Sequence, residues 1–213
     1  HRYRNYSRRF HGPVSVRTAL GNSLNIPAVK ALRHIGTDHL LDRLLAMGVR
    51  NLGRDADFYG DGLALGNGEV SLFELVRAYA TLARGGMHRE VHLDADPSDA
   101  DRATPPALGR RVFTRRSAFE IADILADSSA RRLEFGTGGP LDMPGDVAVK
   151  TGTSSGYLDA WAIGYNHRFT VGVWAGNLDR APTAAVTGAG GPAYVLRGIY
   201  NELNRRYAIA RIP

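Results

Sequence analysis

"VAVKTGTSSGYLDAWAIGYNHRFTVGVWAGN", residues 147–177, is where the period of the chain changes. Upstream, apolar residues recur at helical spacing; here they alternate. "DVAVKTG", "YLDAWAIGY" and "RFTVGVWAGN" are β-type runs separated by short turns, and the last two predict a hairpin about Asn166-His167. Trp161, Ile163, Val171 and Val173 supply the alternating apolar positions that a sheet covered on both faces needs. Three adjacent antiparallel strands are expected. The segment "GPAYVLRGIYNELNRRY", residues 191–207, should pack across them as an amphipathic helix.

Working backwards, the chain reads as helices. "SVRTALGNSLNIPAVKALRHIG", residues 15–36, is helical with a break around Asn22 to Pro27. Pro27 suits the first turn of a new helix, where its missing N–H costs nothing. Val29, Leu32 and Ile35 follow at helical spacing. "TDHLLDRLLAMG", residues 37–48, is a further helix, with Thr37 or Asp38 as its start cap and Gly48 as its end. "GLALGNGEV", residues 62–70, reads as a glycine-broken loop. "SLFELVRAYATLARGG", residues 71–86, is the clearest helix, with Leu72, Leu75, Val76, Tyr79 and Leu82 on one face. Residues 88–111 read as a surface loop, and "RRSAFEIADILADSSARR", residues 115–132, as another helix. Helices, then a three-strand antiparallel meander, then a helix make an α+β fold rather than alternating βαβ units. No internal repeat or low-complexity tract stands out. One domain is expected over 1–213, with a basic lead-in at 1–14, a mainly helical part at 15–138, and sheet with closing helix at 146–207.

Composition bounds the chemistry. With 213 residues, 44% hydrophobic and 23% charged, the chain can bury a sizeable core. Its formal charge is +6 and its pI about 9.9. Such a balance suits nucleic acid, an anionic membrane surface or an acidic polymer, or simply arginines spread over a solvated surface. There are no cysteines, so disulfides, thiolate metal sites and a cysteine nucleophile are excluded. The seven histidines form no HExxH pair and no ligand set, so neither metal nor organic cofactor is expected. No apolar run approaches the ~20 residues of a membrane helix. The chain opens "HRYRNYSRRF", with no signal peptide and no initiator methionine, and a piece of a longer protein is expected.

Several segments imitate sites. "GNGEVS", residues 66–71, lacks the third glycine of a dinucleotide loop and a strand before it. "GTSSG", residues 152–156, matches the G-x-S-x-G elbow with Ser154 as nucleophile, but that elbow needs a helix after it, where another strand is expected here. "HRYRNYSRRF" interleaves arginines with Tyr3, Tyr6 and Phe10, a composition that could grip single-stranded nucleic acid, yet no recognisable nucleic-acid module accompanies it.

Lys150 differs from these. It is one of two lysines among 27 basic residues. A lysine can be tuned and can exchange a proton, whereas an arginine stays charged. Lys150-Thr151-Gly152 at a strand end offers an ammonium, a hydroxyl and a residue that lets a substrate approach the backbone. The N–H of Thr153 is a candidate donor to an oxyanion, and the strand edge a candidate partner for a substrate peptide. Ser23-Leu24-Asn25, at the helix break, offers a hydroxyl for a proton relay and an amide for a peptide carbonyl. Each alone also reads as ordinary structure: a strand ending in a turn, and helix capping.

Together, in this order, they carry a resemblance. Serine penicillin-recognising enzymes carry S-x-x-K, then S-x-N, then K-T-G. "FHGPVSVRTALGNSLNIPAVKAL", "LALGNGEVSLFELVRAYATLARGG" and the stretch 147–177 resemble the later part of a class A penicillin-binding protein transpeptidase domain of the 1C type, over most of residues 10–177. The resemblance implies a serine β-lactamase/D,D-transpeptidase-like fold, an antiparallel sheet flanked by helices, lacking here its N-terminal part. It makes Ser23 and Asn25 the second motif, and Lys150, Thr151, Gly152 and Thr153 the third. It implies cross-linking of peptidoglycan stem peptides by acyl transfer from D-Ala-D-Ala, and binding of β-lactams. One departure matters. Three residues before the two lysines, Lys30 and Lys150, stand Pro27 and Val147, so no S-x-x-K exists in this sequence. The nucleophile is expected outside the chain, in a missing N-terminal half that would be its partner. The parent would add a glycosyltransferase and an anchor holding it at the outer face of the cytoplasmic membrane, and no nucleic-acid partner is implied. The alternative from another class is a non-catalytic module that binds cell-wall peptide or a partner.

Overall fold

The structure, a computed structural model, describes residues 3–91 and 109–207. The first helix, α1 (Val16–Gly21), is capped by Ser15, whose side chain accepts from the N–H of Thr18. After the break come α2 (Asn25–Ile35) and α3 (Thr37–Ala46). The break of α1 from α2 falls where the sequence predicts it. The cap of α3 does not: Gly36 holds that position, and Thr37 is already helical. Gly36 ends α2 and begins α3 at φ +90°, a backbone that glycine adopts without side-chain strain, and having no side chain it makes no cap bond.

Next stand α4 (Ala56–Tyr59) and a 3₁₀ segment, Gly60–Leu65, in place of the expected loop. Leu63 explains the difference: it is buried with Leu32, Leu41, Leu52 and Tyr59 in the first core cluster, so its backbone turns to carry an apolar side chain inward. α5 (Leu72–Ala83) begins with a capping box. The buried Glu74 carboxylate accepts from Ser71 N and Oγ, from Arg50 N and from the Asn51 amide. Residues 88–111, expected as one loop, are in part a ribbon: β1 (Met87–His88) pairs antiparallel with β2 (Arg110–Arg111). Residues 92–108 of that expectation lie outside the described residues, as do 1–2 of the basic lead-in. α6 (Arg115–Ala126) is followed by a 3₁₀ turn, Ser128–Arg131, and by α7 (Arg132–Phe135).

The sheet follows: β3 (Ala148–Thr153), β4 (Asp159–Tyr165) and β5 (Thr170–Gly176), in the order β3-β4-β5 and all antiparallel. This is the predicted meander. The β4–β5 turn is tied by Asn166 Oδ1, which accepts from the N–H groups of Arg168 and Phe169. α8 (Pro192–Tyr207) closes the fold. Alternation decides the layers. Val147, Val149 and Ala162 turn to one face, where Ala193, Leu196 and Tyr200 of α8 bury them. Ala148 and Tyr165 turn to the other, against Leu125, Tyr79, Leu82 and Ile121 of α5 and α6. Each side chain of Leu or Tyr size buried this way contributes about 1.5–3 kcal/mol.

Two glycines let the layers close. A Cβ on Gly164 would lie 2.7 Å from the Tyr200 ring, and one on Gly172 would collide with Val76 of α5. The sheet is thus pressed from both sides, with Lys150 on the face that looks toward α5 and α6 and ultimately toward Ser23.

Candidate functional site

Ser23 is held in an unusual backbone. Leu24 N–H donates to Ala19 O at 2.9 Å and Ser23 N–H to Leu20 O at 3.1 Å, the paired bonds of a Schellman ending for α1. The residue at the left-handed position of that motif is usually glycine. Here it is Ser23, at φ +55°. A residue with a Cβ costs about 1 kcal/mol or more in this conformation. A serine retained against that cost points to use of its hydroxyl.

The hydroxyl meets Lys150. The ammonium donates to Ser23 Oγ at 2.6 Å and to Thr151 O at 2.7 Å. Lys150 is half-buried as a residue, and its ammonium is desolvated. Burial first, and the positive charge of Arg131 second, push its pKa down to about 8. Arg131 is itself buried, 4% exposed, and donates to Leu141 O at 2.7 Å and to Leu125 O. Its own pKa is lowered by burial, with Asp142 and Asp127 opposing. At pH 7 Lys150 therefore carries a free-amine fraction of roughly one tenth, within reach of a hydroxyl.

Asn25 is the first residue of α2, two positions from Ser23. Its amide donates to Arg4 O at 2.9 Å. Capping of α2 falls to Asn5, whose Oδ1 accepts from Ile26 N–H at 3.2 Å. The lead-in segment thus packs on the second motif: Ser7 and His11 both reach the Glu134 carboxylate, at 2.7 and 3.3 Å, and Tyr6 meets Tyr157 hydroxyl to hydroxyl at 3.3 Å.

Thr151, Gly152 and Thr153 complete β3. One edge of this strand pairs with β4, Gly152 opposite Trp161 and Thr153 opposite Ala160; no strand lies on its other edge among the described residues. Thr153 Oγ1 accepts from Gly188 N–H at 3.0 Å, which leaves its hydroxyl hydrogen for an outside acceptor. Ser154 closes the turn instead of standing on an elbow. Its Oγ accepts from Asp159 N–H at 2.7 Å, and a short 3₁₀ turn and then β4 follow it. "GNGEVS" leads into the Ser71 cap of α5.

Other groups lie apart. A cavity of about 270 Å³ between α5 and the β4–β5 turn, lined by Phe73, Arg84, Asn166 and Arg168, shares no residue with the Ser23–Lys150 pair. Among the described residues no three His, Asp or Glu gather as metal ligands. Sequence reasoning missed Asn22, Arg131 and Gly188. Asn22 and Gly188 meet partners 108 and 35 positions away, and Arg131 bonds backbone carbonyls that any residue could supply, so none of the three leaves a local pattern.

Comparison with known proteins matches residues 1–190 to the penicillin binding protein transpeptidase domain. Penicillin-binding protein 1C of Escherichia coli (strain K12) is 32% identical over 204 residues, which are 96% of this chain and 25% of that protein. Penicillin-binding protein 1A/1B of Bacillus subtilis (strain 168) is 31% identical over 192 residues, covering 81% of this chain and 20% of that protein. The chain thus spans about a quarter or less of these relatives. In fold it is similar to penicillin-binding protein 1A from Haemophilus influenzae, at a TM-score of 0.77 and 22% identity over 99% of this chain and 37% of that one. It is also similar to penicillin-binding protein A from M. tuberculosis, solved as an imipenem acyl-enzyme complex, at a TM-score of 0.68 and 19% identity over 92% of this chain and 50% of that one. An α+β meander carrying S-x-N and K-T-G, and a family match over nine-tenths of its length, make this chain a member of the penicillin-binding protein transpeptidase family.

Proposed function

We propose that this chain is the later part of a D,D-transpeptidase domain that cross-links peptidoglycan stem peptides, with the nucleophilic serine on a segment preceding it. The observation that carries the reading is the 2.6 Å contact between Lys150 Nζ and Ser23 Oγ. It joins an amine titrating near pH 8 to a hydroxyl, as a proton relay requires.

In this reading the upstream serine oxygen attacks the carbonyl carbon of the D-Ala-D-Ala bond as its hydroxyl proton passes to the lysine of the same upstream S-x-x-K. Backbone N–H groups, Thr153 among the candidates, receive the oxyanion. The C–N bond breaks, and Ser23 and Lys150 pass a proton to the departing D-alanine nitrogen. The acyl-enzyme ester is then attacked by an amine of a neighbouring stem peptide, and the serine leaves with its proton restored. Asn25 holds a substrate amide, the free edge of β3 pairs with the peptide backbone, and Thr151 and Thr153 hold the terminal carboxylate. A β-lactam enters the same path and stops at the ester, as in the imipenem acyl-enzyme of the M. tuberculosis protein. No step calls for a metal or organic cofactor. The work belongs at the outer face of the cytoplasmic membrane, with anchoring and a glycosyltransferase supplied by the parent. Among the described residues no helix is long and apolar enough to cross a membrane.

The test is acylation of the full-length protein by a fluorescent penicillin. Lys150→Arg should slow it by roughly 100- to 1000-fold, the usual cost of one lost transition-state contact. Unchanged acylation in that variant refutes the relay. No labelling of the parent under any condition favours the peptide-binding module instead.

A further inference from the structure

The contact between Ser23 and Lys150 depends on a loop that needs an explanation of its own, because Ser23 occupies a position that glycine would hold more cheaply. Its neighbour Asn22 is 2% exposed, and a buried amide must be paired. Both hydrogens of the Asn22 amide are used. One goes to Thr18 O in α1, at 2.9 Å, and one to Ala130 O in the Ser128–Arg131 turn, at 2.6 Å. Its oxygen accepts from Glu134 N–H of α7 at 3.0 Å. One side chain therefore ties three elements, two of them more than a hundred positions away in sequence.

Those elements matter to the site. Arg131, next to Ala130, is the charge that acts on Lys150, and Glu134 gathers Ser7 and His11 of the lead-in. The turn that holds the Ser23 side of the contact thus also places the cation felt on the Lys150 side. We propose that Asn22 is a positioning residue, which fixes the Ser23 hydroxyl against Lys150 by clamping the end of α1 to the 128–134 turn. The proposal rests on the transpeptidase reading of the site and deepens it. Asn22 touches no substrate; it acts through Ser23. Without its amide, the strained loop loses its bonds to Ala130 and Glu134; the exposed Arg17 of α1, which donates to Asp123 and Asp127, still ties the helix to that side but does not hold the loop, so Ser23 shifts and water reaches the Lys150 ammonium.

The experiment uses the full-length protein and compares Asn22→Leu, Asn22→Asp and Leu52→Ala. Leu52 is buried in the separate cluster around α2 to α4, so its variant is destabilised without touching the clamp. The second-order rate of acylation by a fluorescent penicillin is measured from about pH 6 to about pH 10, per mole of folded protein. The expected result for Asn22→Leu is a loss of roughly 10- to 100-fold, the scale of a small misplacement of a working group, with the pH profile moved upward. Leu52→Ala should keep both rate and profile. If Asn22→Leu fails to fold, Asn22→Asp keeps the acceptor for Glu134 N–H while removing both donations, and carries the same test. A profile and rate matching those of Leu52→Ala overturn the clamp. Lys150→Arg, run alongside, separates the two failures. Normal acylation there overturns the site reading and the clamp with it; slowed Lys150→Arg with an unaltered Asn22 variant overturns the clamp alone.

Discussion

Replacing Lys150 by methionine removes an ionisable group of similar length from the most perturbed amine in the chain. In the fold this amine titrates near 8, against an ordinary lysine value of 10.5. Below pH 8 both folded and unfolded chains hold the proton, and the fold bears the whole cost of a desolvated ammonium. Between the two values only the unfolded chain holds it, so stability rises with pH; above 10.5 the cost is gone. A gap of about 2.5 pH units corresponds to about 3 kcal/mol. Residual water at this half-buried residue reduces the figure, so the expected rise is about 2–3 kcal/mol. Hydrogen bonds that Met cannot make to Ser23 and Thr151 shift the variant by a largely pH-independent amount. The quantity to plot is therefore the difference in unfolding free energy between wild type and Lys150→Met. Urea titrations followed by the fluorescence of Trp161 on β4, opposite Gly152 of β3, and of Trp174 on β5 provide it. The difference should move in favour of wild type from pH 8 to 10.5. A flat line across that window means a solvated ammonium of ordinary pKa, and refutes the desolvation argument and the relay chemistry built on it.

Incubated with a penicillin, residues 1–213 alone should show no covalent adduct by intact-mass spectrometry, because a serine hydroxyl needs an adjacent base and S-x-x-K is absent; an adduct mapped to Ser23 or Ser154 defeats the assignment of the nucleophile. Gly164→Val should lower stability by about 1–3 kcal/mol in urea, since the new side chain meets Tyr200 and Val147; a wild-type midpoint contradicts the packing. Glu74→Gln should cost about 1–3 kcal/mol at neutral pH. Although burial raises the Glu74 pKa, hydrogen bonds from Arg50 and Ser71 outweigh it, so its contribution exists above the ordinary value of 4.5 and is lost as pH falls through the lower folded value. Alkaline unfolding should begin above pH 10: burial pushes Tyr79 up to about 12 and Tyr165 and Tyr200 upward too, so the stability these phenols contribute is whole below 10 and is lost as pH rises from 10 through the raised folded values, as a urea series at rising pH will record.

What could be read ahead of the structure was whatever repeats over a short window. The strands alternate, α5 and α8 carry a one-sided apolar face, and S-x-N and K-T-G sit at an obvious break and an obvious strand end. The Ser23–Lys150 contact could be expected from the motif pair, and the two atoms do meet; the chemical roles given to Asn25, Thr151, Gly152 and Thr153 remain part of the proposal. What stayed hidden depends on distant partners. Leu63 turns its segment because a core forms beneath it. Gly36 displaces Thr37 as cap because the chain reverses there. The β1–β2 ribbon pairs Met87 and His88 with Arg111 and Arg110, more than twenty positions on. Asn22 acquires meaning through Ala130 and Glu134, more than a hundred positions away, and Arg131 through the Lys150 ammonium on which its charge acts; neither partner stands in a window around the residue.

Ser23 and Lys150 stand 127 positions apart. Closing a loop of that length costs roughly 4 kcal/mol of chain entropy, more than the about 1.5–3 kcal/mol that a hydrogen bond to a charged group returns. The contact cannot form on its own account; it forms because β3 has been aligned by β4, β5 and α8 on one side and by α5 and α6 on the other. Acylation competence is then a late, all-or-none event in folding, slow by virtue of its high contact order. A chain interrupted before α8 would lack a working site even though α8 supplies neither residue. Labelling of the full-length protein by penicillin, followed in time during refolding, should therefore rise with the last kinetic phase and never before it.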